Sequence, residues 1–195
     1  MNIAIVKYNA GNTRSVIYAL ERLGITPILT NDAEALMSAD KVIFPGVGEA
    51  STTMLHLMEI GLHNIIPQLK QPVLGICLGL QLMCKHSEEG NTVGMKIFDI
   101  AVKKFPNTAH EKVPHIGWNN LYDIQSPLLE NICENDFVYF VHSYYAELSE
   151  HNIATCNYIL PFSAALHKDN FYAVQFHPEK SATIGHTILD NFLRI

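Results

Sequence analysis

Short apolar runs alternating with helix-forming segments restrict this chain more than any other feature. Ile3–Val6 and residues 26–29, 41–44 and 73–76 are four such runs, and their apolar residues mostly follow one another directly rather than at every second position. Strands of this kind are buried on both faces. The segments between them read as helices. Residues 13–23 place Val16, Ile17, Leu20 and Leu23 on one face and stop at Gly24. Asn31-Asp32 supplies a cap for a short helix, and residues 51–59 and 62–69 continue the alternation. Helical crossovers join parallel strands, so the first half predicts a mainly parallel, doubly wound sheet with helices on both faces. From about Thr92 the pattern changes to shorter strands at residues 97–105, 137–141, 153–158, 163–167 and 171–176. Lys168-Asp169-Asn170 makes a hairpin turn, and a closing amphipathic helix near residues 184–193 presents Ile184, Ile188 and Leu189 to the core. The expectation is an α/β fold, mainly parallel and doubly wound, flanked by helices, with a β-rich C-terminal half. No linker, repeat or low-complexity stretch divides it, which predicts one domain over residues 1–195.

Composition narrows the function classes. Thirteen basic against nineteen acidic residues give a formal charge of −6, and no Lys/Arg cluster offers a nucleic acid a basic face. No apolar run approaches the ~20 residues of a membrane span. Met1-Asn2 runs directly into the first strand, leaving no room for a signal peptide. Cys77, Cys84, Cys133 and Cys156 form neither C-x-x-C pairs nor a disulfide-dense pattern, which fits a reducing cytoplasm. The ten histidines are scattered; His110 and His115 are too far apart for a helical ligand pair, so no metal is expected.

The chemistry concentrates where the fourth strand ends. Val73-Leu74-Gly75-Ile76-Cys77-Leu78-Gly79-Leu80-Gln81 is strand, sharp turn and helix, with Cys77 at the apex and a glycine two places either side. This is the cysteine counterpart of the G-x-S-x-G elbow. Side chains beside so tight a turn would collide with strand and helix, and a helix N-terminus favours thiolate over thiol. The same segment read alone also describes a plain β-to-α turn around a small buried cysteine.

A thiol nucleophile needs a base, and the base an orienting group. Residues 171–176 form a strand that ends at His177-Pro178-Glu179. In extended backbone, residues two apart project to the same side, so the Glu179 carboxylate is expected beside the His177 imidazole. Pro178 biases His177 away from helix. His-x-Glu is also half of a zinc deaminase signature, but the Pro-Cys-x-x-Cys segment that signature requires is missing. Ligands on doubly wound sheets bind beyond the carboxyl ends of the strands. The Pro45-Gly46-Val47-Gly48 loop and Cys77 both lie at such ends and should face one crevice.

Gly75-Ile76-Cys77-Leu78-Gly79-Leu80-Gln81 and Gln175-Phe176-His177-Pro178-Glu179 resemble the two signatures of the class I (triad) glutamine amidotransferases. Within that superfamily, Pro45-Gly46-Val47-Gly48 is similar to the oxyanion strand of the glutaminase subunits of imidazole glycerol phosphate synthases. Lys112-Val113-Pro114-His115-Ile116-Gly117-Trp118-Asn119, Tyr139-Phe140-Val141-His142-Ser143-Tyr144-Tyr145 and Gly11-Asn12-Thr13-Arg14-Ser15-Val16 resemble motifs of the same subunits. A triad glutaminase serving a different synthase is the alternative, against which the Pro-His-Ile-Gly-Trp-Asn segment speaks. Asn9-Ala10 and Lys85-His86 depart from the usual pattern without touching the triad.

The resemblance implies hydrolysis of L-glutamine without a cofactor. Cys77 would attack the amide carbon, His177 would carry the proton to the leaving ammonia, and Glu179 would orient His177. The backbone N–H groups of Leu78 and Val47 would hold the oxyanion, with Gly46 and Gly48 letting the Val47 peptide turn. Gly46, Gly48, Gln81, Glu89, Ser143 and Tyr144 would form the glutamine pocket. Glu89 would face the substrate ammonium, although its spacing equally describes a solvated carboxylate at the end of the elbow helix. A (β/α)8-barrel cyclase subunit would be the partner and receive the ammonia, docking at Asn12, Trp118 and Lys180. Trp118 could instead belong to the core.

Overall fold

The computed structural model describes residues 1–9 and 12–195. Ala10 and Gly11, which belong to two of the segments singled out above, lie outside the described residues. The elements are β1 (Ile3–Val6), α1 (Thr13–Glu21), β2 (Ile28–Thr30), α2 (Ala33–Ser38), β3 (Lys41–Gly46), α3 (Ala50–Glu59), α4 (Leu62–Ile65), β4 (Val73–Cys77) and α5 (Leu78–Met83). They continue with β5 (Cys84–Ser87), β6 (Thr92–Val93), β7 (Phe98–Lys104), β8 (His115–Asn120), β9 (Phe137–His142), β10 (Tyr144–Ala146), β11 (Asn152–Tyr158), β12 (Leu160–Lys168), β13 (Phe171–Val174) and α6 (Ala182–Arg194).

Seven strands make the main sheet in the order β11-β12-β13-β4-β3-β1-β2. The pairs from β13 across to β2 are parallel, and β11 and β12 add an antiparallel edge. Successive residues of β1 go to opposite faces: Ile3 and Ile5 join one apolar cluster with α1 and α6, Ala4 and Val6 another with α3 and α4. A strand between two cores cannot spare a polar position, which explains the apolar runs at 3–6, 42–44 and 73–76; β2, at the sheet edge, instead leaves Ile28 and Leu29 exposed, against the expectation of burial on both faces. Fully burying a side chain such as Phe44 or Ile43 stabilises the fold by roughly 1.5–3 kcal/mol. α2 starts where the sequence placed its cap, with Asp32 accepting from the Ala35 N–H at 2.8 Å.

Several boundaries differ from the sequence reading, each for a local reason. β2 begins at Ile28, because Pro27 has no N–H for the ladder. The helix expected over 62–69 stops at Ile65 and continues as a 3-10 turn through Pro67. The elbow helix α5 has six residues, because the carbonyls of Leu82 and Met83 accept from the N–H groups of Met95 (2.8 Å) and Ile97 (2.9 Å) and the chain leaves as β5. The β-rich half is not one unit. β13 inserts between β12 and β4 in the main sheet, β10-β7-β5-β6 form a four-stranded sheet, and β8 and β9 form a separate ribbon.

Register aligns the site. Gly46 of β3 lies opposite Cys77 of β4, and Val174 of β13 lies opposite Ile76. The strand ends carrying the loop at Val47, the cysteine and the His-Pro-Glu segment therefore finish at one level.

Candidate active site

Cys77 sits at the junction of β4 and α5 with φ 54 and ψ −109, a strained backbone for a residue with a side chain. The glycines around it are required by contact. A Cβ on Gly79 would lie 2.1 Å from the Phe44 carbonyl oxygen, and one on Gly75 would lie 2.8 Å from the Met83 sulfur. With so short a helix the dipole contributes little at the thiol, so its side-chain neighbours matter more.

Those neighbours come from the end of β13. Main-chain groups of β9 hold His177: its N–H donates to the Tyr139 carbonyl at 2.9 Å, and Ser181 Oγ donates to its carbonyl at 2.7 Å while accepting from the Tyr139 N–H. Pro178–Lys180 form a 3-10 turn rather than extended chain. The carboxylate of Glu179 thus reaches the imidazole by the turn folding back, not by strand pleating as the sequence suggested. Its Oε1 accepts from His177 Nδ1 at 2.8 Å, with both side chains almost wholly buried. The proton on Nδ1 leaves Nε2 to serve the thiol. Burial alone would lower the His177 pKa, but hydrogen bonds to Cys77 and Glu179 and their charges outweigh it and raise the group to about 10. The thiol also has a contact of 3.8 Å to the Val141 carbonyl oxygen.

A cavity of about 310 Å³ opens over the sulfur. Val47, Gly48, Leu78, Gln81, Glu89, Ser143, Tyr144, His177 and Lys180 are among the residues that line it. Gly46 does not. It is buried in β3, where a Cβ would lie 2.7 Å from both the Leu78 Cβ and the Tyr8 hydroxyl, so it serves packing rather than the pocket or a hinge. Gly48, at φ 115, is the glycine of this loop whose conformation a side chain would resist. Glu89 is not at the end of the elbow helix. It opens a 3-10 turn after β5 and accepts from the Ala50 N–H at 2.8 Å, beside the Glu49 cap of α3. Half-burial raises its pKa, and the nearby Glu49 charge acts in the same direction.

The three residues expected at a docking face separate. Asn12 lies against Glu179, where its Nδ2 donates to Glu179 Oε1 at 3.1 Å and its Oδ1 accepts from Ser15. Trp118 stands on β8, 52% exposed, beside Ile116 and Phe137, and is not core. Lys180 lies exposed at the cavity rim with its ammonium 5.9 Å from the Tyr139 ring centre. The sequence reading also missed Tyr8, whose buried hydroxyl donates to the Pro45 carbonyl just before the Val47 loop. Burial, with the Cys77 charge adding to it, pushes the Tyr8 pKa above its usual value. No local pattern connects positions 8 and 45.

A profile of the family "Glutamine amidotransferase class-I" matches residues 4–195. The chain belongs to this family. It is 60% identical to the imidazole glycerol phosphate synthase subunit HisH of Bacteroides fragilis over 196 aligned residues, covering 100% of each chain. Similarity to the protein of that name from Bacteroides thetaiotaomicron is also 60%, covering 99% of each. The Acinetobacter baylyi protein of that name is 45% identical, covering 98% of this chain and 97% of the relative. Among solved structures, PurLQS from Thermotoga maritima superposes with a TM-score of 0.74 at 16% identity, covering 99% of this chain and 97% of that one. A glutamine amidotransferase from the same organism gives 0.67 at 15%, covering 100% and 83%. At these identities the structural likeness establishes the class I amidotransferase fold alone. Among the described residues, no cluster of His, Cys, Asp and Glu could hold a metal, and no helix is long and apolar enough to cross a membrane.

Proposed function

We propose that this chain is the glutaminase subunit of an imidazole glycerol phosphate synthase, a single amidotransferase domain over residues 1–195 working in the cytoplasm with a separate cyclase. The observation that carries the reading is the buried thiol, imidazole and carboxylate at aligned strand ends, opening on a cavity suited to a small amino acid. Identity of 60% across the whole chain to proteins named for that subunit supports the choice of synthase.

Cys77 attacks the side-chain amide carbon of L-glutamine. His177, having taken the thiol proton, stands charged beside the thiolate and delivers that proton to the departing ammonia, while Glu179 holds the ring tautomer and its charge. Asn12, donating to the same carboxylate, keeps that orientation. Water activated by His177 then hydrolyses the γ-glutamyl thioester on Cys77. Leu78 and Val47 offer the oxyanion their backbone N–H groups. Tyr8, by holding the Pro45 carbonyl, restrains the strand that leads to Val47. Glu89 faces the substrate ammonium, with Gln81, Ser143, Tyr144 and Gly48 completing the pocket. The ammonia passes to the (β/α)8-barrel cyclase, which forms imidazole glycerol phosphate and aminoimidazole carboxamide ribonucleotide. The exposed Trp118 and the rim residue Lys180 belong to the docking face.

Glutamate production, measured with and without a co-expressed cyclase and its ribonucleotide, tests the proposal. Activity that rises sharply with both supports it. Activity indifferent to the cyclase, with failure to complement a histidine auxotroph, would assign the chain to another synthase.

A further inference from the structure

The Cys77 sulfur receives an N–H from outside the triad: Gln175 Nε2 lies 3.7 Å away. Gln175 is fully buried, and its Oε1 accepts from Gln81 Nε2 at 3.1 Å. The same Gln81 nitrogen donates to the Tyr144 carbonyl at 3.0 Å. That carbonyl has a second donor, His142 Nδ1 at 2.8 Å. His142 Nε2 meets His115 Nδ1 at 3.0 Å, and His115 Nε2 meets Asn119 Nδ2 at 3.3 Å. Asn119 Nδ2 also donates to the Asn157 carbonyl at 3.1 Å.

Two carbonyl oxygens fix every proton between them. Tyr144 O can only accept, so His142 carries its proton on Nδ1 and Gln81 turns its amide nitrogen inward. The neutral His142 then accepts at Nε2, so His115 carries its proton on Nδ1 and accepts at Nε2. Asn157 O fixes the amide of Asn119 as the donor that His115 requires. With Gln81 donating, Gln175 must accept through oxygen, which leaves its N–H for the sulfur. The rings are locked in place: His115 is sandwiched between Phe140 at 4.7 Å and Tyr158 at 4.0 Å, and His142 packs edge-on to Phe162 at 5.1 Å. Burial holds both neutral, lowering His115 to about 4 and His142, with the His115 and His177 charges adding to it, to about 3.

We propose that His115, His142, Gln81 and Gln175 form a hydrogen-bond relay in which every donor is assigned, the histidine branch and Gln81 meeting at the Tyr144 carbonyl, and whose last N–H rests on the nucleophilic sulfur, making Gln175 a further catalytic residue and the histidine pair its positioning residues. The assignment rests on the reading of Cys77 as nucleophile. An N–H on the sulfur favours the thiolate that attacks, independently of the imidazole on its other side. The relay also holds the Tyr144 carbonyl, and with it the pocket wall.

The test is alkylation of Cys77 in the full chain by iodoacetamide, followed by mass spectrometry of the Cys77 peptide across a pH series. Gln175→Met keeps the volume and removes the donor; alkylation at neutral pH should slow about fivefold, less than a well-aligned hydrogen bond to a charged group provides because the contact is long. His142→Leu should slow it about twofold by loosening the same N–H. His142→Asn keeps a donor in place of Nδ1 and should recover most of the loss. Misfolding would expose the thiol and accelerate alkylation, so it cannot imitate the expected result. Nitrogen NMR should show both histidines as Nδ1–H tautomers. Unchanged alkylation in Gln175→Met, or equal behaviour of the Asn and Leu variants, would overturn the relay. Glutamine hydrolysis that survives Cys77→Ala would instead overturn the nucleophile assignment, so the two failures are distinguishable.

Discussion

His177 at the end of β13 and His142 at the end of β9 are buried to nearly the same degree, 3% and 5% exposed, yet they are driven in opposite directions. Desolvation pushes both toward neutrality. Around His142 the partners are a carbonyl and another imidazole, and the neutral form wins. Around His177 they are a carboxylate and a thiol able to ionise, and the charged form wins. The protein thus keeps one imidazole charged at neutral pH a short distance from one kept neutral. The difference lies in the charge of the partners rather than in depth.

Removing the thiol should break that contrast most strongly. Cys77→Ala is expected to abolish glutamine hydrolysis, and to lower the His177 titration midpoint from about 10 because the hydrogen bond to the sulfur and its charge are lost; an enzyme assay and histidine ring NMR read the two effects. Glu179→Gln leaves an acceptor oxygen without the charge and should reduce turnover by about a hundredfold or more, since a triad imidazole then loses its orientation and charge support. In that variant, too, the His177 midpoint should fall.

A smaller effect sharpens the comparison through stability. Folding favours protonated His177, so its contribution is fully present below the unfolded value of about 6.5 and lost as pH rises through about 10. Folding favours neutral His142, so its contribution is present above about 6.5 and lost as pH falls toward about 3. Chemical denaturation from pH 4 to 10.5 should therefore show Glu179→Gln flattening the alkaline limb and His142→Asn flattening the acid limb. If either variant altered both limbs equally, the two environments would not be independent.

The parallel strands β1, β3 and β4 were legible because double-sided burial writes itself as consecutive apolar residues, as in Ile3–Val6, whereas the edge strand β2 carries a similar run without the burial. The elbow was legible because Gly75 and Gly79 are local demands of one turn. What escaped depended on partners distant in the chain. β5 exists because the Leu82 and Met83 carbonyls are taken by residues 95 and 97, and nothing within Cys84–Ser87 announces it. Asn12 reaches Glu179 across 167 positions, and Tyr8 reaches Pro45 across 37. His115 and His142 stood inside recognisable segments, but their pairing follows from the register of β8 on β9, which places them directly opposite.

The near-contact of Gly79 with the Phe44 carbonyl has a wider consequence. It leaves no compliant side chain between the helix behind the sulfur and the strand leading to the Val47 loop, so main chain bears on main chain as in a fitted joint. A side chain added at Gly79 would have to push main chain aside, and with it the tip of the elbow that carries Cys77. Engineers seeking to retune this protein would find latitude around the mouth of the cavity and almost none at that seam.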